Sequence, residues 1–325
     1  MTTTMKAIVQ ETYGSADVLE LRDVDQPTPS AGEVLVRVRA AGVSRGDVHL
    51  MKGEPYLMRA AFGIRAPKNR VAGLDVAGTV VAIGPDVTRF AVGDEVFGIA
   101  RGSFAEYAVA REDKLAHKPS RLTFPQAAAM PISGLTALRA IDAAGIHAGQ
   151  SVLVIGASGG VGSYAVQLAV ASGATVTGVA SGAKAQLVWD LGASDVIDYA
   201  HEDFADGSRS FDVVLDIGGV TPVARLRRAL TRTGTLVIVG GESGSTWSPG
   251  LGRQLHAILL NPFVSQRLTM VMNKEHYSGL ERLAAHAVDG ELASFMDKPF
   301  DLTSTADAVR HLMAGKARGK VVITV

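Results

Sequence analysis

Residues 151–181 read SVLVIGASGGVGSYAVQLAVASGATVTGVAS. The run opens with an apolar strand, Ser151 to Ile155, and passes through a glycine-rich turn from Gly156 to Gly162. It continues as a helix and closes on a second strand, Thr175 to Ala180. Strand, glycine turn and helix in that order form the first half of a dinucleotide-binding βαβ unit. A pyrophosphate sits against backbone N–H groups at a helix N-terminus, and glycines remove the Cβ atoms that would hold it away. The fingerprint positions fall on Ala157, Gly159 and Gly162, so alanine fills the first. A glycine-rich turn alone also fits an ordinary tight turn; the flanking strand and helix favour the nucleotide.

Downstream, strand and helix alternate. Asp195 to Tyr199, Phe211 to Ile217 and Thr235 to Gly240 read as strands, with a helix from Val223 to Leu230. Such alternation predicts a doubly wound parallel sheet covered on both faces, an α/β architecture of the Rossmann kind. A carboxylate at the end of the second strand would bind both ribose hydroxyls of NADH and repel a 2′-phosphate. That strand ends instead at Ser181, with Lys184 one helical turn later. A hydroxyl, a cation and a helix N-terminus together suit a phosphate, so NADPH is the expected cofactor. Ser181 serving as a helix cap beside a solvated Lys184 is the compatible alternative.

Upstream, residues 1 to about 118 are β-rich. Met5 to Gln10, Val18 to Asp23, Glu33 to Ala41 and Val71 to Ile83 have strand composition, punctuated by Pro27, Pro29, Gly32, Gly84, Pro85 and Gly93. A compact β-barrel-like domain is expected there. Ser44 to Asn69 is less regular and long for a connection, which marks it as functional. Phe124 to Ala143 turns helical. Ser243 to Gln266 is open between a pocket lid, a subunit contact and core. Met270 to Met272 reads as an edge strand, Tyr277 to Val288 and Ala306 to Met313 as helices, and Val321 to Val325 as a terminal strand.

Composition narrows the function. The chain has 325 residues, 47% of them hydrophobic and 20% charged, with 32 basic and 32 acidic side chains. Two domains are expected at that length. Balanced charge argues against nucleic acid or an anionic membrane as the main partner. There is no cysteine, which removes disulfides, thiolate catalysis and sulfur-ligated zinc. The start, MTTTMKAIV, has neither a basic region nor a long apolar core, and no apolar run is long enough to span a bilayer. A cytoplasmic protein is the expectation.

The β-rich N-terminal part, GASGGVG, LGASDVIDY and the terminal GKARGKVVITV together resemble the zinc-independent branch of the medium-chain dehydrogenase/reductase superfamily. Within it the chain is similar to quinone oxidoreductases and alkenal/enone reductases. The resemblance implies a Rossmann NADP-binding domain at 121–272 and a GroES-like β-barrel catalytic domain made of 1–120 and 273–325. Zinc-dependent relatives hold their catalytic metal with a cysteine, a His-Glu pair and a second cysteine. Here AAGVSRGDVH, VAGLDVAG and QAAAMPISGLTA place Ser44, Leu74 with Asp75, and Ala129 at those positions, so no metal is expected. Ser158, Gly159, Gly160, Val161 and Gly162 match the family's pyrophosphate loop. Ser181, Lys184 and Tyr199 match its 2′-phosphate pocket, and Gly240 and Gly241 the backbone approaching the nicotinamide ribose. Arg318 and Lys320 match a basic cluster closing over the cofactor, with a surface role the alternative. A homodimer through the cofactor domains is also implied.

The chemistry follows. Alcohol oxidation without a Lewis acid lacks anything to stabilise an alkoxide. Hydride addition to an enone or quinone instead spreads charge to an enolate or hydroquinone oxygen, which hydrogen bonds can stabilise. The candidates are Ser44, His49 and Tyr56. Ser44 stands at the first zinc-cysteine position, where many relatives carry asparagine, and Asp47 braces the loop. His49 offers a side chain type that exchanges a proton near neutral pH, against the alternative of a structural histidine. Tyr56 is a hydrogen-bond donor or a packed loop aromatic. An NADPH-dependent quinone or enone reductase is therefore expected, against two other readings: an NADPH-binding structural or regulatory protein with little turnover, and a reductase module for carrier-bound acyl chains.

Overall fold

The computed structural model describes residues 3–241, 251–271 and 275–325. The chain divides into two compact units, Met1–Leu135 with Lys274–Val325, and Thr136–Asn273.

In the first unit β1 (Thr4–Val9) and β2 (Glu20–Asp25) form an antiparallel pair. A larger sheet is built from β3 (Glu33–Val43), β4 (Asp75–Ile83), β5 (Glu95–Ile99), β6 (Tyr107–Arg111) and β7 (Leu115–His117). The long β3 organises it, pairing with both β4 and β6, and irregularities at Leu35/Val36 and Val38/Ala40 bend it. Val34, Val36, Val38, Val76, Val80, Val96 and Leu115 are buried in one core, as alternating apolar positions on a curved sheet require. β4 begins at Asp75 rather than at Val71, because Gly73 interrupts the strand at φ +98°; a Cβ there would lie 2.5 Å from Ser103 Oγ.

The stretch after β3, expected to be irregular, starts with a regular helix, α1 (Arg45–Lys52). Ser44 and Asp47 form its capping box, and Gly53 ends it in the left-handed conformation at φ +62°. A short helix, Phe124–Ala128, approaches the end of β3 so closely that a Cβ on Gly42 would lie 2.4 Å from the Ala128 carbonyl oxygen. This packing groups residues 121–135 with the first unit, whereas the sequence reading assigned them to the second.

The second unit contains β8 (Ser151–Ile155), α2 (Gly160–Ala171), β9 (Thr175–Ala180), β10 (Asp195–Asp198), β11 (Phe211–Asp216), β12 (Leu230–Ile238), α3 (Leu251–Leu260) and β13 (Arg267–Met270). Its sheet runs β10-β9-β8-β11-β12-β13 with every pairing parallel. Leu153, Ile155, Val179, Ile197, Val214, Leu236 and Ile238 are buried together, which explains the near-continuous apolar runs of these strands. The strand order reverses between β8 and β11, and ligands of open α/β sheets bind beyond the carboxyl ends at that point. β12 starts at Leu230, ahead of the expected Thr235, through a pairing of Phe211 with Leu230. Of the segments left open, Ser243 to Gln266 is described from Leu251 onward, and Met272 lies outside the described residues.

The chain then returns to the first unit. β14 (Phe300–Asp301) lies parallel to β15 (Val321–Thr324), which pairs antiparallel with β3 at Val321 opposite Val43. Ala308 and Val309 of the helix Thr305–Met313 enter the same core as β3. The doubly wound Rossmann sheet and the GroES-like β domain expected from the sequence are both present.

The glycine turn shows why residue 157 can be alanine. Its methyl points toward β9, where a Cβ on Gly178 would come within 2.9 Å of it. Gly162 has no such latitude, since a Cβ there would lie 2.1 Å from the Gly156 carbonyl oxygen and 2.8 Å from Ala157 Cα. Alanine ordinarily stabilises a helix by about 1 kcal/mol over glycine. Here backbone would have to move, at a cost of about 1–3 kcal/mol by the usual scale of overpacking. Gly162→Ala is expected to lower the thermal midpoint and weaken nucleotide affinity, measured by thermal melting with and without NADPH.

Candidate active site

In the second unit the glycine turn is held by backbone bonds. Gly156 and Ala157 N–H both donate to Val179 O at 3.1 Å, and Ile217 and Gly218 N–H donate to Ile155 O at 3.1 and 3.0 Å. Gly159 has extended backbone and α2 begins at Gly160. The first turn of α2, at Gly160, Val161 and Gly162, therefore directs its N–H groups beyond the carboxyl end of β8, beside the buried Ser158. The missing Cβ at Gly162 lets the first turn of α2 pack directly against the Gly156 carbonyl and Ala157. These features fit a pyrophosphate, and with it NAD(P)H.

Ser181 follows β9 and precedes a short helical turn, Gly182–Lys184; its side chain makes no capping bond, and the turn is held by Lys184 N–H donating to Ser181 O at 2.8 Å. Tyr199 is 64% exposed and its N–H donates to Ala180 O, which brings it beside the end of β9. Sequence reasoning missed the carboxylate in this group. Asp198, on the neighbouring strand, carries an oxygen 2.5 Å from where a Gly182 Cβ would stand, and its other oxygen accepts from Ala200 N–H at 3.1 Å. The acid arrives from β10 rather than from the end of β9, so no fixed interval from the glycine turn identifies it.

Gly240 follows β12 so closely beside the chain after β11 that a Cβ would lie 2.2 Å from Ile217 O. Gly241 is the next residue and half-buried. Asp216, fully buried at the carboxyl end of β11, pairs with Arg253 from α3, and Arg253 also donates to the Gly219 carbonyl. Burial pushes the Asp216 carboxyl up, and the Arg253 bond and charge oppose it. This pair, too, has no sequence signature. It gives α3 a defined attachment beside the switch point.

In the first unit, the residues at the metal positions of relatives have other work. Ser44 Oγ and N–H both donate to Asp47 Oδ2 at 2.7 Å. Asp75 Oδ1 accepts from Ile132 N–H at 2.9 Å, and Oδ2 receives the Lys320 ammonium at 3.2 Å. Lys320 also donates to Ser133 Oγ at 3.0 Å. Leu74 and Ala129 carry no donor atom, and no group of three metal-ligating side chains occurs among the described residues.

The two tail cations therefore part. Arg318 is exposed, with its N–H bonded to Asp297 at 3.2 Å, whereas Lys320 is 2% exposed and faces inward. Gly319 makes the turn at φ +77°, where a Cβ would lie 2.2 Å from Phe295 O. Lys320 is thus an internal counterion rather than part of a basic cluster over a cofactor. His49 is half-buried on α1, and Tyr56 lies with its ring 4.3 Å from the Arg59 guanidinium.

Residues 30–120 match the alcohol dehydrogenase GroES-like domain, and residues 191–323 match the zinc-binding dehydrogenase domain. A 2-methylene-furan-3-one reductase of Solanum lycopersicum is 34% identical over 98% of this chain and 79% of its own. A chloroplastic NADPH-dependent alkenal/one oxidoreductase of Arabidopsis thaliana is 32% identical over 98% of this chain and 79% of its own. The structure of a quinone oxidoreductase from Coxiella burnetii superposes with a TM-score of 0.86 at 29% identity, over 99% of this chain and 100% of that one. The chain belongs to the medium-chain dehydrogenase/reductase superfamily, in its branch of quinone oxidoreductases and alkenal/enone reductases. It is an oxidoreductase.

Asp47, Asp75 and Lys320 bury two carboxyls against one ammonium, and Asp47 Oδ1 has no partner. Burial pushes Asp75 up to about 7, with Lys320 opposing and Asp47 adding to the shift. Burial also raises Asp47, against the bonds from Ser44. Between the unperturbed 3.8 and about 7, the native state holds a proton on Asp75 that the unfolded state has lost. Stability from this site is therefore full at low pH and is lost as pH rises toward 7, with a slope of about 1 kcal/mol per pH unit. Asp75→Asn removes that dependence. The wild-type minus variant difference in thermal midpoint is expected to shrink from pH 5 to 7 and then level off.

Proposed function

We propose that the protein is an NADPH-dependent reductase that passes hydride to quinones or α,β-unsaturated carbonyls without zinc. The observation that carries the reading is the donor set at the start of β4 and after the short helix Phe124–Ala128: the Leu74 and Ala129 side chains offer nothing to a metal, and Asp75 is already engaged by Lys320. A site of that kind suits acceptors whose charge delocalises as hydride arrives, rather than alcohols that need an alkoxide stabilised. Bound NADPH would supply the hydride. The backbone at Gly160, Val161 and Gly162 would hold its pyrophosphate, and Ser181, Lys184 and Tyr199 its 2′-phosphate.

For the proton, Ser44, His49 and Tyr56 are the three candidates. The Ser44 hydroxyl is committed to Asp47, and the Tyr56 ring to Arg59. Ser44 then acts by fixing the start of α1, and Tyr56 by shaping the segment after it. Those structural commitments also favour the second reading, a nucleotide-binding protein with little turnover. Steady-state NADPH oxidation with a panel of enones and quinones separates the two, since tight NADPH binding without turnover of any acceptor supports the second.

The reading includes a cytoplasmic homodimer. β13 is the last strand of its sheet and pairs on one side only among the described residues, which leaves an edge for a second copy. No described helix is long and apolar enough to cross a membrane.

NADPH selectivity is testable at two residues of opposite charge. Lys184→Ala is expected to weaken NADPH about tenfold more than NADH, the scale of one charge-assisted phosphate contact. Asp198→Asn is expected to shift the preference the other way by removing a carboxylate beside Gly182. Equal effects on the two nucleotides, read by fluorescence titration, would remove the 2′-phosphate assignment.

A further inference from the structure

Asp216 is the last residue of β11, where the strand order of the second unit reverses. It stands opposite Ile155 at the end of β8 and opposite Ile238 at the end of β12. Neighbouring strands lie about 4.8 Å apart, so this carboxyl is centred on the edge from which the glycine turn and Gly240 both leave the sheet. It is fully buried. A carboxylate in that place works against an anionic ligand, because bound phosphates lie beyond the same edge and like charges repel.

Arg253 meets it from α3. Nη2 donates to Asp216 Oδ2 and Nη1 to the Gly219 carbonyl, and the side chain is 14% exposed. Asp216 Oδ1 accepts from Gly219 N–H at 3.3 Å. The turn Ile217–Gly219 is thereby held by both members of the pair. The same turn abuts the nucleotide loop: Ile217 and Gly218 N–H donate to Ile155 O, and a Cβ on Gly156 would lie 3.1 Å from Gly218 N. On its other side a Cβ on Gly240 would lie 2.9 Å from Gly219 Cα. The flanking strands set uncharged Ile155 and Ile238 beside Asp216. Arg253 supplies the charge acting on the carboxyl; burial raises it, and the Arg253 and Gly219 bonds lower it. All of these contacts lie within the second unit.

We propose that Arg253 is a positioning residue for the nucleotide: it fixes the Ile217–Gly219 turn against the glycine turn and cancels a carboxylate charge that would otherwise repel the pyrophosphate. The inference rests on the NADPH reading above and not on the identity of the acceptor. Arginine suits the task because its planar fork reaches a carboxylate and a carbonyl together, whereas a lysine ammonium is a point charge. Truncating it strands a buried carboxyl. Without the cation, Asp216 ionises only at higher pH than in the wild type. While protonated it leaves the phosphates undisturbed, and once ionised it repels them. Nucleotide affinity in such a variant therefore falls as pH rises.

The test is fluorescence titration of the full-length protein with NADPH at about pH 6 and about pH 8, either side of the range in which a raised carboxyl ionises. The quantity read is the ratio of variant to wild-type Kd at each pH, which cancels ionisations common to both proteins, such as that of the 2′-phosphate. Arg253→Met is expected to weaken NADPH about tenfold at the higher pH and about twofold at the lower. Adding Asp216→Asn removes the stranded charge, and the double variant is expected to return to within about threefold of the wild type at both pH values. Asp216→Asn alone keeps the guanidinium and is expected to bind NADPH at least as tightly as the wild type, which keeps the test open if Arg253→Met fails to fold. Unchanged affinity in Arg253→Met overturns this inference alone. So does weakening that is equal at both pH values and is not recovered in the double variant, or weaker binding by Asp216→Asn. A wild type that does not bind NADPH overturns the nucleotide reading and this inference with it.

Discussion

The buried contact between the Lys320 ammonium and the Asp75 carboxyl is the interaction on which the first unit depends. It joins the residue just before β15 to the first residue of β4, and through Ser133 and Ile132 to the start of the helix Pro131–Ala144. A chain that leaves the β domain, builds a separate sheet and returns must be secured at its re-entry. The core formed by Val321, Ile323 and their neighbours supplies the area, but a sliding strand could satisfy an apolar core in more than one register. A buried cation with a single pair of partners fixes the register. Its cost is desolvation, which makes such pairs poor sources of net stability and severe points of failure when one partner is lost.

The same region shows how a site can keep its architecture while changing its chemistry. Ser44, just after β3, and Asp75, at the start of β4, stand where the resemblance puts ligands of zinc-dependent relatives, and Asp47 lies in the first turn of α1. In this chain those elements are held by a capping box and an ammonium.

Much of the fold was legible in the sequence because parallel strands buried on both faces are continuous apolar runs, and because the glycine turn falls between one such run and a helix. The candidate site was legible in part. Gly162 is a position whose geometry demands glycine, since a Cβ there would lie 2.1 Å from the Gly156 carbonyl oxygen. The helix α1 escaped because its capping box uses Asp47 where glutamate or glutamine is the usual signal, and because it is short. Lys320 was misplaced for a different reason. In GKARGK the lysines and arginine look alike, and the inward turn at Gly319 is a dihedral angle rather than a composition. The pair Arg253 with Asp216 was invisible because it joins segments remote in sequence, with no periodicity to connect them.

Ala157 and Gly178 share room for a single methyl group, and Val188 closes the space from the third side, 2.4 Å from where a Gly178 Cβ would stand. The three positions therefore form one volume rather than three independent sites. A larger residue at one is tolerable only if another contracts. The alanine in the nucleotide turn is thus not a weakened glycine motif. It is half of an exchange in which the neighbouring strand has surrendered its own side chain, so the turn and β9 must change together during divergence or redesign.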